Sequence, residues 1–124
     1  MADSALSSAR RTLATEIDGL QALSAALGDN FERAVTMLAE ISGRVIVSGM
    51  GKSGHIGSKI AATMASTGTP AQFVHPGEAS HGDLGMITNN DAVLALSWSG
   101  ETVELANLID YAKRFSIPLI ALTS

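Results

Sequence analysis

Apolar residues recur at helical spacing through the first part of the chain. They are separated by three, four or seven positions, at Leu6, Leu13, Ile17, Leu20, Leu23 and Leu27. This spacing predicts an amphipathic helix from Ala5 to Leu27 that ends at Gly28. Asp29 or Asn30 can cap a second helix, whose pattern runs as far as Ile41.

The pattern changes at Arg44, where short apolar runs begin to alternate with helical segments. Four runs predict β-strands, at Arg44–Ser48, Ala71–His75, Ala92–Ser97 and Ile117–Leu122. Strands that are apolar throughout and alternate with helices indicate a parallel sheet covered on both faces. We therefore predict one α/β domain, Rossmann-like or flavodoxin-like, that consists of a helical segment over residues 1–43 and a sheet region over 44–124.

Composition and charge narrow the class of protein. The 124 residues are 46% hydrophobic, which suits one domain with a buried core. Formal net charge is -4 and the eight Lys and Arg residues are scattered, so we expect no nucleic-acid partner. The chain has no cysteine, which fits a cytoplasmic protein. No apolar run has the roughly 18 residues of a membrane span, and the start has no secretory pattern.

The segment SGMGKSGHIG, residues 48–57, follows the first predicted strand and resembles two nucleotide-binding motifs. A P-loop needs a glycine five positions before its Gly-Lys pair, and Ile46 stands there, so this motif is excluded. The glycines do fit the dinucleotide motif G-x-G-x-x-G, which calls for an acidic residue about 20 positions on. Positions 73–75 hold Phe, Val and His instead. An NAD-dependent oxidoreductase is therefore a minor alternative.

A second polar loop, SWSGET, ends the third predicted strand and opens the next helical segment. Ser97, Ser99 and Thr102 place hydroxyls beside free backbone N–H groups at a helix N-terminus, which suits an anion. Ser53 and Lys52 follow the first strand, and ligands of open α/β sheets bind at this carboxyl edge. Several neutral donors with one lysine fit a small phosphomonoester. The plainer interpretation is that Ser99 is an N-cap and Thr102 its N3 neighbour.

Three motifs together resemble a known family. GMGKSG, GTPAQFVHPGEASHGDLGMIT and SWSGET resemble the SIS (sugar isomerase) domain, and within it the arabinose-5-phosphate isomerases of the KpsF/GutQ type. The resemblance runs from about Arg44 to Ser124. It implies a cytoplasmic enzyme that interconverts D-ribulose 5-phosphate and D-arabinose 5-phosphate for Kdo and lipopolysaccharide synthesis. Family members continue through a further strand and helix and a pair of CBS domains, so we expect this sequence to be part of a longer protein that is weakly active or inactive alone.

The resemblance also implies roles for individual residues. Lys52 and Glu104 are expected to be catalytic: Glu104 moves a proton between C2 and C1, and Lys52 stabilises the enediolate. His81 is the candidate proton shuttle, because imidazole titrates near neutrality. The plainer roles are phosphate binding for Lys52 and a favourable helix-terminus charge for Glu104.

The implied substrate-binding set is larger. Its members lie in the three motifs, of which HPGEASHGDLG, residues 75–85, is called the histidine block; they are Ser53, Gly68, Thr69, His75, His81, Ser97, Ser99 and Thr102. The Gly68–Thr69 turn is placed at the far edge of the sheet by the element order, where a helix C-cap is its other role. No organic cofactor or required metal is implied. The resemblance gives His75 as a possible site for zinc, which we expect to be adventitious or inhibitory.

Assembly and the competing function follow from the same resemblance. SIS domains usually build their sites at subunit interfaces, so a homodimer or homotetramer is expected, with the N-terminal helix packed against a partner. Trp98 stands where relatives usually carry Asn or Gln. The main alternative function is a non-catalytic regulatory module that binds a sugar phosphate.

Overall fold

The computed structural model describes residues 4–124. The chain divides into two compact units, Met1–Arg33 and Ala34–Ser124. The division falls within the second helix. The change from helix to strand lies between Glu40 and Val45, and the predicted division of the chain after Gly43 stays a prediction.

Both N-terminal helices form as the periodicity predicts. Helix α1 spans Ala5–Ala26 and begins at Ser4, whose hydroxyl accepts a hydrogen bond from the Ser7 N–H at 3.1 Å. All its large apolar side chains are exposed, from Ile17 at 55% to Leu20 at 66%, as is the C-cap residue Leu27 at 49%. Within its own unit, the apolar stripe of α1 is therefore exposed.

Helix α2 spans Asp29–Glu40, so the expected cap at Asp29 or Asn30 is wrong. Both residues lie inside the helix, and the carbonyl of Gly28 accepts from the N–H groups of Phe31 and Glu32 at 3.0 and 3.2 Å. The helix begins one residue early because its acidic first turn is stabilised by the helix dipole without an N-cap side chain.

The sheet has four parallel strands in the order β2-β1-β3-β4. The strands are β1 Val45–Gly49, β2 Ala71–Phe73, β3 Ala92–Leu96 and β4 Leu119–Leu122. The connecting helices are α3 Gly51–Ser66, α4 Pro76–Ser80 and α5 Ala106–Arg114, with 3₁₀ turns at Asp83–Met86 and Val103–Leu105. The predicted parallel α/β fold is confirmed. No helix in the described part of the chain combines the length and apolar character needed to cross a bilayer.

Alternate residues of the central strands pack on opposite faces of the sheet. One cluster contains Val45 and Val47 of β1 with Ala61 of α3. The other contains Ile46 of β1 with Leu108 of α5. The period of two therefore explains why these strands are apolar at every position: each face has its own helical cover.

The strand boundaries differ from the sequence prediction by one or two residues, and two boundary differences bear on the site. Strand β2 ends at Phe73 and not at His75, because Pro76 begins the short helix α4, which was not predicted. The helix after β3 begins at Ala106, later than its pattern suggested, because residues 97–102 are held in a compact loop by their own hydroxyls.

A buried carboxylate holds the amino-terminal edge of the sheet. Asp91 is 2% exposed, and its two oxygens accept from the N–H of Arg44 at 2.7 Å and the N–H of Thr88 at 2.8 Å. It therefore joins the start of β1 to the turn that precedes β3. Backbone donors at this edge have no strand partner, so a buried acceptor satisfies them.

We expect Asp91→Ala to lower the free energy of unfolding by about 3 kcal/mol, because two backbone N–H groups lose the acceptor that the buried Asp91 side chain provides. Urea unfolding measures this. Asp110→Ala, at an exposed position of α5, is the control and should change it by about 0.5 kcal/mol or less. Equal effects of the two substitutions would contradict this role of Asp91.

Candidate functional site

The polar loops of the sheet lie at its carboxyl edge. Because all strands are parallel and Gly49 pairs with Leu96, the ends of β1 and β3 are adjacent, with the end of β2 on the other side of β1. The candidate residues that follow these three strand ends are Lys52, Ser53, His75, His81, Ser97, Ser99, Thr102 and Glu104. The fold thus brings residues from distant parts of the sequence to one edge.

The first loop is a tight strand-to-helix turn. Gly51 has φ +56 and opens α3, and Lys52 and Ser53 occupy the first turn of that helix. A β-carbon on Gly54 would lie 2.7 Å from the Gly49 carbonyl oxygen, so only glycine allows α3 to approach β1 this closely. The glycine pattern that resembles a dinucleotide motif is therefore explained by backbone geometry.

Lys52 is exposed and makes no hydrogen bond or ion pair with any other described residue. Ser53 beside it is half-buried. A lysine in the first turn of a helix adds a full positive charge to the partial positive charge of the helix N-terminus. This end of α3 is therefore electropositive and suits an anionic ligand.

Hydroxyl groups organise the loop after β3. The Oγ atoms of Ser97 and Thr102 lie 2.6 Å apart, and Ser97 Oγ also accepts from the Gly100 N–H at 3.1 Å. Ser99 Oγ accepts from the Glu101 N–H at 3.0 Å. Ser99 is thus the centre of a local side-chain turn and not the N-cap of a helix. We refer to residues 97–102 as the hydroxyl loop.

The neighbouring strand supports the hydroxyl loop. The Ser97 N–H donates to the Leu122 carbonyl at 3.0 Å, and the Ser124 N–H donates to the Trp98 carbonyl at 3.1 Å. The Trp98 side chain itself is 81% exposed. Backbone hydrogen bonds to the end of β4 therefore fix the hydroxyl loop, while the indole ring of Trp98 faces solvent.

Glu104 lies in the 3₁₀ turn Val103–Leu105, directly after the hydroxyl loop. Its side chain is exposed and has no hydrogen-bond or ion-pair partner among the described residues. Leu105 beside it is 2% exposed and anchors the turn in the core. The carboxylate is thus carried on a fixed backbone and is available to a ligand.

The histidine block begins at a buried anchor that the sequence analysis did not identify. Ser48 is fully buried in β1, and its hydroxyl donates to the Val74 carbonyl at 2.6 Å. The Val74 N–H donates to the Val47 carbonyl at 2.9 Å. The backbone is thus fixed on both sides of Val74, immediately before His75. A single serine at the end of an apolar strand was the available signal.

The same block is tied to α5 at its other end. Asn107 Nδ2 donates to Ser80 Oγ at 3.0 Å, and Ser80 Oγ donates to the Pro76 carbonyl at 3.2 Å. His81 follows as the C-cap of α4 and is exposed. The turn between the two histidines is therefore linked to the helix that begins just after Glu104. The sequence analysis did not predict the hydrogen bond between Asn107 and Ser80.

The turn at Gly68 and Thr69 lies elsewhere. Gly68 has φ +103, and the Thr69 N–H donates to the Met64 carbonyl at 2.9 Å, as at a helix C-terminus. The turn precedes β2, so it lies at the amino-terminal edge of the sheet, opposite the other candidates. Within one chain it does not join them.

No group of three or more His, Asp or Glu side chains within residues 4–124 is arranged to hold a metal ion. His75 has one ring nitrogen engaged already, since Nδ1 accepts from the Gly77 N–H at 3.0 Å. The described residues therefore do not fit a metal centre built by this chain alone.

Comparison with known proteins agrees with this geometry. The SIS domain profile matches residues 37–124, and the chain belongs to the SIS domain family. It is 58% identical over 116 residues to the arabinose 5-phosphate isomerase KdsD of Pseudomonas aeruginosa, covering 94% of this chain and 36% of that protein. It is 51% identical over 123 residues to arabinose 5-phosphate isomerase GutQ of Escherichia coli K12, covering 99% and 38%.

A solved structure is also similar. An Escherichia coli CFT073 protein in complex with A5P superposes with a TM-score of 0.79 and 36% identity, covering 98% of this chain and 66% of that one. The chain spans 36% to 38% of the length of the two curated relatives. The SIS-type α/β fold is thereby established.

We expect Gly54→Ala to lower the free energy of unfolding by about 2 kcal/mol, because its methyl group would push α3 away from β1. Gly85→Ala is the control, since its β-carbon would have no neighbour within 4 Å. That change should stay within about 0.5 kcal/mol. Thermal and urea unfolding of both variants measure the difference; a Gly54→Ala protein as stable as the control would contradict the close helix approach.

Proposed function

We propose that this chain is the sugar-phosphate site of an arabinose-5-phosphate isomerase, which interconverts D-arabinose 5-phosphate and D-ribulose 5-phosphate. One observation carries the proposal: the hydroxyl loop, Lys52 and Glu104 all follow strand ends at one edge of the sheet, and neither charged side chain has a partner among the described residues. Similarity to KdsD and GutQ, and to a protein solved with A5P, supports the choice of substrate.

The hydroxyl groups bind the phosphate end of the substrate. Ser97 and Thr102 already lie 2.6 Å apart, and Ser53 stands in the adjacent loop, so their O–H groups need little rearrangement to bind phosphate oxygens. The N-terminus of α3 adds backbone N–H groups and a favourable dipole. Neutral donors of this kind suit a phosphomonoester without a bound metal ion.

The charged groups Glu104 and Lys52 act on the sugar end of the substrate. In the aldose-to-ketose direction, Glu104 removes the proton from C2, and the electron pair forms an enediolate with the former carbonyl oxygen O1. Lys52 stabilises the negative charge of that enediolate. Glu104 then returns the proton to C1 while His81 carries the hydroxyl proton from O2 to O1. Every atom is conserved, so no organic cofactor or redox partner is required.

A regulatory module is the second candidate. The hydroxyl loop alone would bind a sugar phosphate, and Glu104 and His81 are both exposed, so this chain by itself excludes little water from the site. Turnover needs a water-poor site, whereas recognition does not. Turnover and sugar-phosphate binding must therefore be measured separately. The isomerase proposal extends to Kdo and lipopolysaccharide synthesis in the cytoplasm, and it treats any divalent metal as adventitious or inhibitory.

The substrate site is proposed to be completed by self-association. Six large apolar side chains form an exposed stripe along α1, from Leu6 to Leu27. Exposed stripes of this size are unusual in monomers and mark interaction surfaces. The Gly68–Thr69 turn lies on the edge of the sheet opposite Glu104, so its expected contact with substrate requires a second copy of the chain. We take a homodimer or homotetramer as the working assembly.

Glu104→Gln is expected to reduce kcat by about 10²- to 10⁴-fold, because the proton acceptor is lost while the side-chain shape is kept. A discontinuous assay of ribulose 5-phosphate conversion measures this, on this chain and on a longer protein that contains it. The control is Asp110→Asn, an exposed carboxylate of α5 outside the candidate site, which should leave kcat close to its original value.

Binding is followed separately by fluorescence of Trp98, the single tryptophan. Arabinose 5-phosphate should change the emission, and arabinose without phosphate should not. Glu104→Gln should retain this binding. Binding without any interconversion in either protein would overturn the isomerase proposal in favour of the regulatory module.

Leu20→Glu is expected to weaken self-association by about 100-fold or more, because an unpaired carboxylate in an apolar interface costs about 3 kcal/mol. Ala22→Glu is the control: two residues rotate the helix by about 200°, so this charge lies on the opposite side of α1. Sedimentation velocity over a range of concentrations measures both. A starting protein that stays monomeric throughout would contradict the assembly.

A further inference from the structure

The imidazole of His75 is engaged at one nitrogen. Its Nδ1 accepts from the Gly77 N–H at 3.0 Å, which makes His75 the side-chain N-cap of α4. No described residue bonds to its Nε2, and the side chain is exposed. The two ring nitrogens therefore have different tasks in this conformation.

This bond determines where the ring proton sits. A nitrogen that accepts a hydrogen bond from a backbone N–H carries no proton, so the neutral ring must hold its proton on Nε2. His75 then presents an N–H donor at the carboxyl edge of the sheet. It is neither a proton acceptor nor an open metal ligand there.

The surrounding backbone keeps this arrangement in place. The Val74 carbonyl is bound by the buried Ser48 hydroxyl at 2.6 Å, and Pro76 occupies the first turn of α4 with its restricted φ. A cap residue between two fixed neighbours loses little further freedom when its ring bonds to Gly77. The Nε2–H donor is thus preorganised.

We propose that the substrate contact expected of His75 from the family resemblance is a hydrogen bond donated by Nε2–H, and that metal binding at His75 is mutually exclusive with its capping of α4. The donor part rests on the proposed function. The exclusion part does not, because it follows from the cap alone.

The exclusion follows from the lone pairs. A metal ion needs an unprotonated imidazole nitrogen. The Nδ1 lone pair is occupied by the Gly77 N–H, and using Nε2 would move the ring proton to Nδ1, where it would face that same N–H group. Either ligation breaks the cap. Zinc at His75 would therefore release the start of α4, which lies between His75 and His81.

Nuclear magnetic resonance of the ¹⁵N-labelled chain tests the cap directly, at a pH where imidazole is neutral. We expect a coupling across the hydrogen bond between the Gly77 amide nitrogen and His75 Nδ1, with the ring proton on Nε2. Zinc chloride is then titrated in. Zinc that shifts the His75 ring nitrogens must abolish this coupling; a shifted ring with the coupling retained overturns the exclusion, and an absent coupling in the metal-free chain overturns the whole proposal.

Two substitutions of His75 distinguish the role of Nδ1 from the role of Nε2. His75→Asn keeps an acceptor that caps a helix but has no donor at the Nε2 position. His75→Gln extends an amide N–H to about the reach of Nε2 but removes the cap. We expect His75→Asn to keep the Gly77 amide protected from hydrogen exchange but to bind arabinose 5-phosphate about tenfold more weakly. We expect His75→Gln to leave that amide unprotected and to bind arabinose 5-phosphate more tightly than the Asn variant does.

Inorganic phosphate is the control ligand, because it lacks the sugar oxygen. Its affinity, from Trp98 emission, should be the same in His75→Asn and the starting chain. Equal affinity of those two proteins for arabinose 5-phosphate, or an equal loss for both ligands in the Asn variant, overturns the donor role. If the starting chain binds neither ligand while the Gly77 coupling is present, the proposed function and the donor role fail and the exclusion stands.

Discussion

Parallel pairing of β1 with both of its neighbours is the constraint on which the rest of this structure depends. A parallel sheet places the carboxyl ends of its strands at one edge, so loops that are far apart in sequence become neighbours. Ser48 and Gly49 end the central strand, with the histidine block on one side and the hydroxyl loop on the other. Every candidate group except those of the Gly68–Thr69 turn owes its position to this pairing.

The two ends of the sheet are held by different kinds of interaction. At the amino-terminal edge, the buried carboxylate of Asp91 satisfies backbone donors that have no strand partner. At the carboxyl edge the bonds are made by hydroxyl groups: Ser48 donates to the Val74 carbonyl, and the Ser97 and Thr102 hydroxyls bond to each other. Hydroxyls can exchange partners when a ligand arrives. Stability and ligand recognition are thereby separated along the strand axis, as is usual in open α/β sheets.

The backbone of the candidate site is held by the core, whereas its charged side chains are exposed to solvent. Leu105 and the Val74 carbonyl are anchored in or beside the core, whereas Lys52, Glu104 and His81 are exposed. Charged groups without protein partners bind oppositely charged ligands without first breaking an ion pair. The same exposure means that water must be displaced by something else, which agrees with the proposal that a second copy and a longer chain complete the site.

The amino-acid sequence alone determined the α/β class, the parallel strands and the convergence of the polar loops, because alternating strands and helices allow few other arrangements. The glycine spacing likewise revealed a tight turn after β1, since Gly51 and Gly54 meet steric limits that act locally. Local periodicity carried no information on the short helix α4, the self-bonded hydroxyl loop, or the links from Ser48 to Val74 and from Asn107 to Ser80. The two links depend on atoms that are brought together only when the chain folds, and a hydrogen bond between residues separated by more than 20 positions has no local signature. The hydroxyl loop and the cap of α4 are held by bonds between residues two to five positions apart, which hydrophobic periodicity does not report. The tertiary structure decided the two long-range links, whereas the proton position on His75 follows from its local bond to the Gly77 N–H.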